Sequence, residues 1–145
     1  MKISIASDHA GFDQKQALVV HLRKQGHDVV DRGPQTDGRV DYPDFAALVA
    51  RDVADGAAER GVLVCGTGIG MAMAANKVDG VRAANVVRED FAALCREHND
   101  ANVVTLSGRF VGLDENKAIL DAFLSTDFAG GRHVQRVEKI HALEN

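Results

Sequence analysis

Apolar positions fall in short, dense runs separated by longer stretches in which they recur every three or four residues. The dense runs at 2–7, 27–31, 61–65, 81–86 and 102–106 read as five strands. Residues 11–25 read as a helix stopped by Gly26. Residues 43–55 carry Phe45, Leu48, Val49 and Val53 at helical spacing. Further helices are predicted over 69–77, 89–97, 113–125 and 134–143. Residues 32–40 are polar, with Gly33–Pro34 and Asp37–Gly38, and read as a loop. Strands alternate with helices and no hairpin signal joins consecutive strands. That order implies an α/β fold with a parallel sheet, helices on both faces and right-handed crossovers. No linker or low-complexity tract interrupts it, so residues 1–145 are expected to form a single domain.

Such sheets bind ligands at the carboxyl ends of their strands. Strand one ends in Ser7–Asp8–His9, strand three in Cys65–Gly66–Thr67 and strand five in Ser107–Gly108–Arg109. The helix after strand four closes on His98–Asn99–Asp100, and all four groups are expected on one rim. The chain has 145 residues, 46% of them apolar and 26% charged, enough for a core without disulfide or metal staples. Its net charge of -4 excludes general nucleic-acid binding, although a local basic cluster can hold a small anion. Cys65 and Cys95 form no dense framework, so a reducing cytoplasm is expected. The first residues lack the apolar core of a secretion signal. No run approaches the roughly 20 apolar residues that span a bilayer, so no membrane association is expected.

Four constellations carry chemistry. The first is Cys65–Gly66–Thr67–Gly68–Ile69–Gly70, a strand end, a glycine turn and a helix start. It is neither a dinucleotide fingerprint, since residue 71 is Met, nor a P-loop, since Lys77 stands too far away. Its spacing fits an anion cradle and equally a turn that simply needs glycines. A thiol at a helix N-terminus is favoured as thiolate, which makes Cys65 a candidate base; Cys95 lies mid-helix. The second is Asp8–His9, suited to substrate hydroxyls or to a helix cap. The third, His98–Asn99, fits a helix C-terminus or an imidazole and amide for a ligand. Cys95 and His98 are only two local ligands, so no metal site is expected. The fourth is Gly130–Gly131–Arg132–His133–Val134–Gln135–Arg136, where Arg132 and Arg136 share a helix face. With Arg109 they suit a phosphate clamp or, with Glu138, a solvated face.

In order along the chain, Ser7–Asp8–His9–Ala10–Gly11, Asp41–Tyr42–Pro43, the Cys65–Gly70 turn, Ala75–Asn76–Lys77, His98–Asn99–Asp100–Ala101–Asn102 and Gly130–Gly131–Arg132–His133 with Arg136 resemble the ribose-5-phosphate isomerases of type B. That family is shared with galactose-6-phosphate isomerase subunits. The resemblance runs from about residue 2 to residue 143. It implies a Rossmann-like three-layer sandwich with strand order 2-1-3-4-5. It also implies a homodimer, or a tetramer of two dimers, whose active sites lie at the subunit interface. It assigns Cys65 as the base moving a proton between C2 and C1, and His98 to ring opening. Asp8 and Thr67 are placed beside the ring-opening step. Asp8, His9, Tyr42 and Asn99 would contact substrate, and the amides of Gly66, Thr67, Gly68, Ile69 and Gly70 would cradle the enediolate. Arg109, Arg132 and Arg136 would hold the phosphate. Members lacking this cysteine use a glutamate elsewhere in the loop; Ile69 and Gly70 place this chain with the cysteine branch.

The expected reaction interconverts ribose 5-phosphate and ribulose 5-phosphate without metal or organic cofactor. The same chemistry on allose 6-phosphate, galactose 6-phosphate or a tetrulose phosphate is the nearest alternative. A phosphate-binding module without catalysis would use the arginines but not Cys65. A thiol sensor would pair Cys65 with Cys95.

Overall fold

The computed structural model covers all 145 residues and contains the five strands and six helices that the pattern predicts. In chain order they are β1 (Lys2–Ser7), α1 (Phe12–Lys24), β2 (Asp28–Asp31), α2 (Tyr42–Ala54), β3 (Arg60–Cys65), α3 (Ile69–Ala75), β4 (Ala83–Asn85), α4 (Glu89–Glu97), β5 (Val103–Ser107), α5 (Leu113–Ser125) and α6 (His133–His141). All strand pairs are parallel. The strand order is 2-1-3-5-4, which corrects the expected 2-1-3-4-5. The cause is visible in the two strands. Every residue of β5 is buried, as befits a strand paired on both sides. β4 has three residues, none of them buried, and takes the edge.

Right-handed crossovers then fix which face each helix covers. The connections β1 to β2 and β4 to β5 run one way along the sheet; β2 to β3 and β3 to β4 run the other. Accordingly α1, α4 and α5 cover one face, packing on Ile3, Ile5, Val62, Val64, Val104 and Leu106. The opposite face carries α2 and α3, packed on Ala6, Leu63, Cys65 and Val103. The period of two in β3 thus turns Cys65 towards α2 and α3. Cys95 lies in the other core, across the sheet, which rules out a Cys65–Cys95 disulfide within one chain. Leu18, Ile119, Leu120 and Phe123 are fully enclosed, and trimming one to alanine would cost about 2–5 kcal/mol.

Lys15 on α1 is fully buried. The buried face of α1 reads Lys15, Leu18, Val19, Leu22. Lys15 Nζ donates to both Asp31 oxygens at 2.9 and 3.0 Å and to the Pro34 carbonyl at 2.7 Å. Asp31 Oδ1 also accepts the Gly33 N–H at 2.9 Å. This cluster fastens the start of the loop that leads to Tyr42.

Candidate active site

Three loops converge at the carboxyl end of the sheet. Cys65 closes β3, and α3 begins four residues later with Gly68 as its cap at φ +84°. The Gly68 N–H donates to Cys65 Sγ at 3.1 Å. Only glycine fits there: the backbone is left-handed, and a Cβ would collide with Asn85 Oδ1 and stand 3.1 Å from the Leu106 carbonyl. Thr67 is exposed, and its Oγ1 accepts the Ile69 N–H at 3.1 Å. The loop after β5 stitches this turn in place. Ser107 Oγ donates to the Gly66 carbonyl at 2.7 Å, Gly108 N–H to Cys65 O at 2.8 Å, and Arg109 N–H to Gly66 O at 3.1 Å. The Arg109 side chain lies over Gly66, its Nη1 3.5 Å from where a Cβ would sit.

Asp8 is buried beside them. Its N–H donates to Val64 O at 3.1 Å and its Oδ1 accepts the Gly11 N–H at 3.0 Å. The carboxylate therefore shapes the turn into α1, as a cap reading expects, while standing next to the end of β3. His9 Nδ1 accepts the Val40 N–H at 3.3 Å, which ties the long loop across the rim. Tyr42 opens α2, and its ring fills the space a side chain at Gly70 would need: a Cβ there would meet the ring at 2.5 Å. Asp8, His9, Tyr42, Cys65, Gly66, Thr67, Gly68, Ile69, Gly70 and Arg109 thus share one end of the sheet.

His98 and Asn99 do not join them, which corrects the expected single rim, and Arg132 and Arg136 also lie apart. α4 runs antiparallel to the strands, so its last turn lies at their amino ends. His98 caps that turn. Four residues on, the Asn102 carbonyl accepts the Gly61 N–H near the start of β3 at 2.9 Å. α6 is tied to the same end: Ala129 N–H donates to Glu97 O at 3.1 Å, and Glu144 Oε1 accepts the Gly80 N–H at 2.8 Å. The six residues of β3 separate the two groups by about 20 Å within one chain. At the amino end His98 and Asn99 are exposed, as are Arg132, which caps α6, and Arg136 one turn later. The His133 ring stacks on His98 with centroids 4.5 Å apart and planes 18° apart. Lost hydration, then the neighbouring His98, Arg132 and Arg136, hold His133 below the ordinary imidazole value.

The three concavities of the surface leave out Cys65 and Asp8, and the largest, about 590 Å³, lies at the amino end beside Asn99 and the free edge of β4. Cys95 contributes nothing to either group. Burial pushes its thiol up to about 11, and its Sγ donates to Ala92 O at 3.2 Å. No group of three or more His, Cys, Asp or Glu side chains is placed to hold a metal ion. No helix is long and apolar enough to cross a membrane.

Comparison with known proteins places this arrangement. The chain is 46% identical over 143 residues to ribose-5-phosphate isomerase B of Escherichia coli, covering 99% of this chain and 96% of that one. The structure of ribose-5-phosphate isomerase B from Clostridium thermocellum superimposes with a TM-score of 0.98 at 47% identity, covering 99% and 97%. That of Mycoplasma genitalium ribose-5-phosphate isomerase B with bound ribulose-5-phosphate gives 0.94 at 51%, covering 97% and 94%. The family model described as Ribose/Galactose Isomerase matches residues 3–140, and this chain belongs to that family.

Proposed function

We propose that the chain is an aldose–ketose isomerase acting on ribose 5-phosphate and ribulose 5-phosphate, as one domain over residues 1–145. The observation that carries this reading is the Gly68 N–H aimed at Cys65 Sγ at the head of a glycine turn. A sulfur beside a helix start is a proton carrier, and the backbone amides of the turn suit an oxygen that gains negative charge.

His98 donates a proton to the ring oxygen of the closed sugar, with Asp8 or Thr67 at the anomeric hydroxyl. The Cys65 thiolate removes the proton from C2 and returns it to C1. Charge that develops on the enediolate oxygen meets the Gly66–Gly70 turn, where each amide that donates to it is worth about 3–4 kcal/mol; Gly68 and Ile69 would first release Cys65 Sγ and Thr67 Oγ1. Asn99, His9 and Tyr42 orient the hydroxyls. Arg109, Arg132 and Arg136 hold the phosphate, so binding energy far from the reacting carbons aligns them. The step moves protons only and draws on no metal or organic cofactor.

A second copy of the chain completes the site. The base and cradle occupy one end of each chain, and His98, Asn99, Arg132 and Arg136 the other, too far apart to share one sugar phosphate. A homodimer that sets the amino end of one copy over the carboxyl end of the other brings them together twice, by symmetry. Ile69, Met73, Phe91 and Leu94, exposed apolar residues on α3 and α4, fit such a contact. A cytoplasmic place agrees with two unpaired thiols.

A second reading keeps the reaction and changes the sugar, since the family description spans ribose and galactose isomerases. Comparing kcat/KM over ribose 5-phosphate, allose 6-phosphate, galactose 6-phosphate and a tetrose phosphate tests the substrate. Ribose 5-phosphate is expected to lead by at least tenfold; a six-carbon or four-carbon sugar in front would replace it. Label from deuterated water in the product tests the proton transfer against a hydride shift.

A further inference from the structure

The sequence motif around His98 contains a residue that the proposed chemistry leaves unused. Asp100 is the one residue other than glycine with positive φ, at 49°. Its backbone N–H still donates to Arg96 O at 3.2 Å, so the chain reverses there directly after His98 and Asn99. Aspartate and asparagine tolerate this conformation better than other side chains, but it still has to be held.

Two arginines hold it, and they lead to different places. Arg96 is 2% exposed. Its Nη1 donates to Asp100 Oδ1 at 2.8 Å and to the Ala101 carbonyl at 2.6 Å, while its Nε donates to the Thr126 carbonyl at 3.1 Å. That last bond fixes the segment entering Gly130–Gly131–Arg132. On the other side Arg82 Nε donates to the Asp100 carbonyl at 2.7 Å and Nη2 lies 3.4 Å from Asp100 Oδ2. Arg82 Nη1 donates to His141 Nε2 at 2.8 Å, at the far end of α6. Arg82 is itself anchored, its backbone N–H donating to Asn102 Oδ1 at 2.8 Å. Asp100 therefore touches one arm reaching the segment before α6 and another reaching its last turn.

We infer that Asp100 is a positioning residue for the amino-end group: through Arg96 and Arg82 it sets the His98–Asn99 turn against Arg132 and Arg136. The inference rests on the isomerase reading above for what that spacing serves. The carboxylate touches no substrate. It fixes the distance between the imidazole that opens the ring and the guanidinium groups that hold the phosphate. Both arms are charged hydrogen bonds, the kind with defined geometry. The His98–His133 stack is the visible product, since one ring belongs to the turn and the other to α6.

The test compares Asp100→Gly, which keeps the left-handed backbone and drops the carboxylate, with Asp100→Asn, which keeps the backbone and one acceptor oxygen. KM and kcat for ribose 5-phosphate, competitive inhibition by inorganic phosphate, the His98 and His133 imidazole NMR resonances and the thermal midpoint are read on each. Asp100→Gly is expected to lower kcat/KM about 10- to 100-fold, as loss of alignment does. It is also expected to weaken phosphate inhibition and shift both imidazole resonances. Asp100→Asn is expected to lose less, about threefold. In an Arg136→Ala background, Asp100→Gly is expected to add little, because the clamp it positions is already broken. A lower thermal midpoint with wild-type KM, phosphate inhibition and resonances would reduce Asp100 to a structural residue and overturn the inference. So would strictly additive losses in the double variant. If Asp100→Gly fails to fold, Asp100→Asn decides by the same readouts. A wild-type chain inactive on ribose 5-phosphate would sink the substrate reading alone, leaving the resonances and phosphate binding to judge Asp100.

Discussion

The two ends of the sheet are built differently. At the carboxyl end the group assigned above to the chemistry is mostly backbone: the Gly66–Gly70 turn, a cysteine enclosed to 5% exposure, and the stitches from Ser107, Gly108 and Arg109. At the amino end the assigned group is made of exposed side chains, His98, Asn99, Arg132 and Arg136, supported from beneath by Arg82 and Arg96. A cradle for developing charge has to be rigid before the substrate arrives, since reorganising it during reaction would forfeit its benefit. A phosphate clamp works through long charged side chains that reach outward. On the proposed reading, the reactive end is buried in its own chain and the recognition end is presented to a second copy.

That contrast can be broken from either side, starting with the largest effect. Cys65→Ala should cut kcat by about 10²–10⁴-fold while KM moves little, because it removes the base and leaves the clamp; steady-state kinetics with ribose 5-phosphate measure it. Lys15→Met should destabilise the fold by about 3–5 kcal/mol in urea unfolding, since it strands a mostly buried Asp31 and frees the loop carrying Tyr42. Arg136→Ala should raise KM about 10- to 100-fold and spare kcat, the reverse of the Cys65 pattern. The smallest effect is electrostatic. His133 titrates below the ordinary imidazole value, and His98→Asn should move it back upward in an NMR titration. Because the unfolded chain protonates this residue at higher pH than the folded one, its contribution to stability falls as pH drops through the ordinary imidazole value.

Much of this could be read from the residues. The alternating pattern placed all eleven elements, and the glycine spacing at 66, 68 and 70 marked the turn below Cys65. Two expectations fail for physical reasons. The order 2-1-3-4-5 comes from the resemblance alone; the 81–86 run forms only three strand residues, and the buried Val103–Val104–Thr105–Leu106 run of β5 takes the interior place. The single rim ignored helix direction: in a parallel α/β sheet a helix ends where the next strand begins, so His98 had to lie at the amino edge. Lys15 was missed although it occupies the apolar stripe with Leu18, Val19 and Leu22, where a charge needs a partner. Asp31 and the Pro34 carbonyl are supplied by tertiary contact and leave no local trace. Of the Arg82–Asp100–Arg96 network only the Arg96–Asp100 pair, four residues apart, has a local trace; Arg82 and His141 join it once β4 and α6 have packed.

The central claim is that one site draws on both ends of the sheet and therefore on two copies of the chain. Subunit mixing tests it most directly. A Cys65→Ala chain and an Arg132→Ala/Arg136→Ala chain, each nearly inactive alone at low substrate, are unfolded, mixed in equal amounts and refolded. Random pairing makes half the dimers mixed, and each mixed dimer carries one intact site and one doubly damaged site. Activity should return to about a quarter of wild type. Activity no higher than the average of the two variants refolded alone would show that each chain builds its site by itself, and would contradict the account.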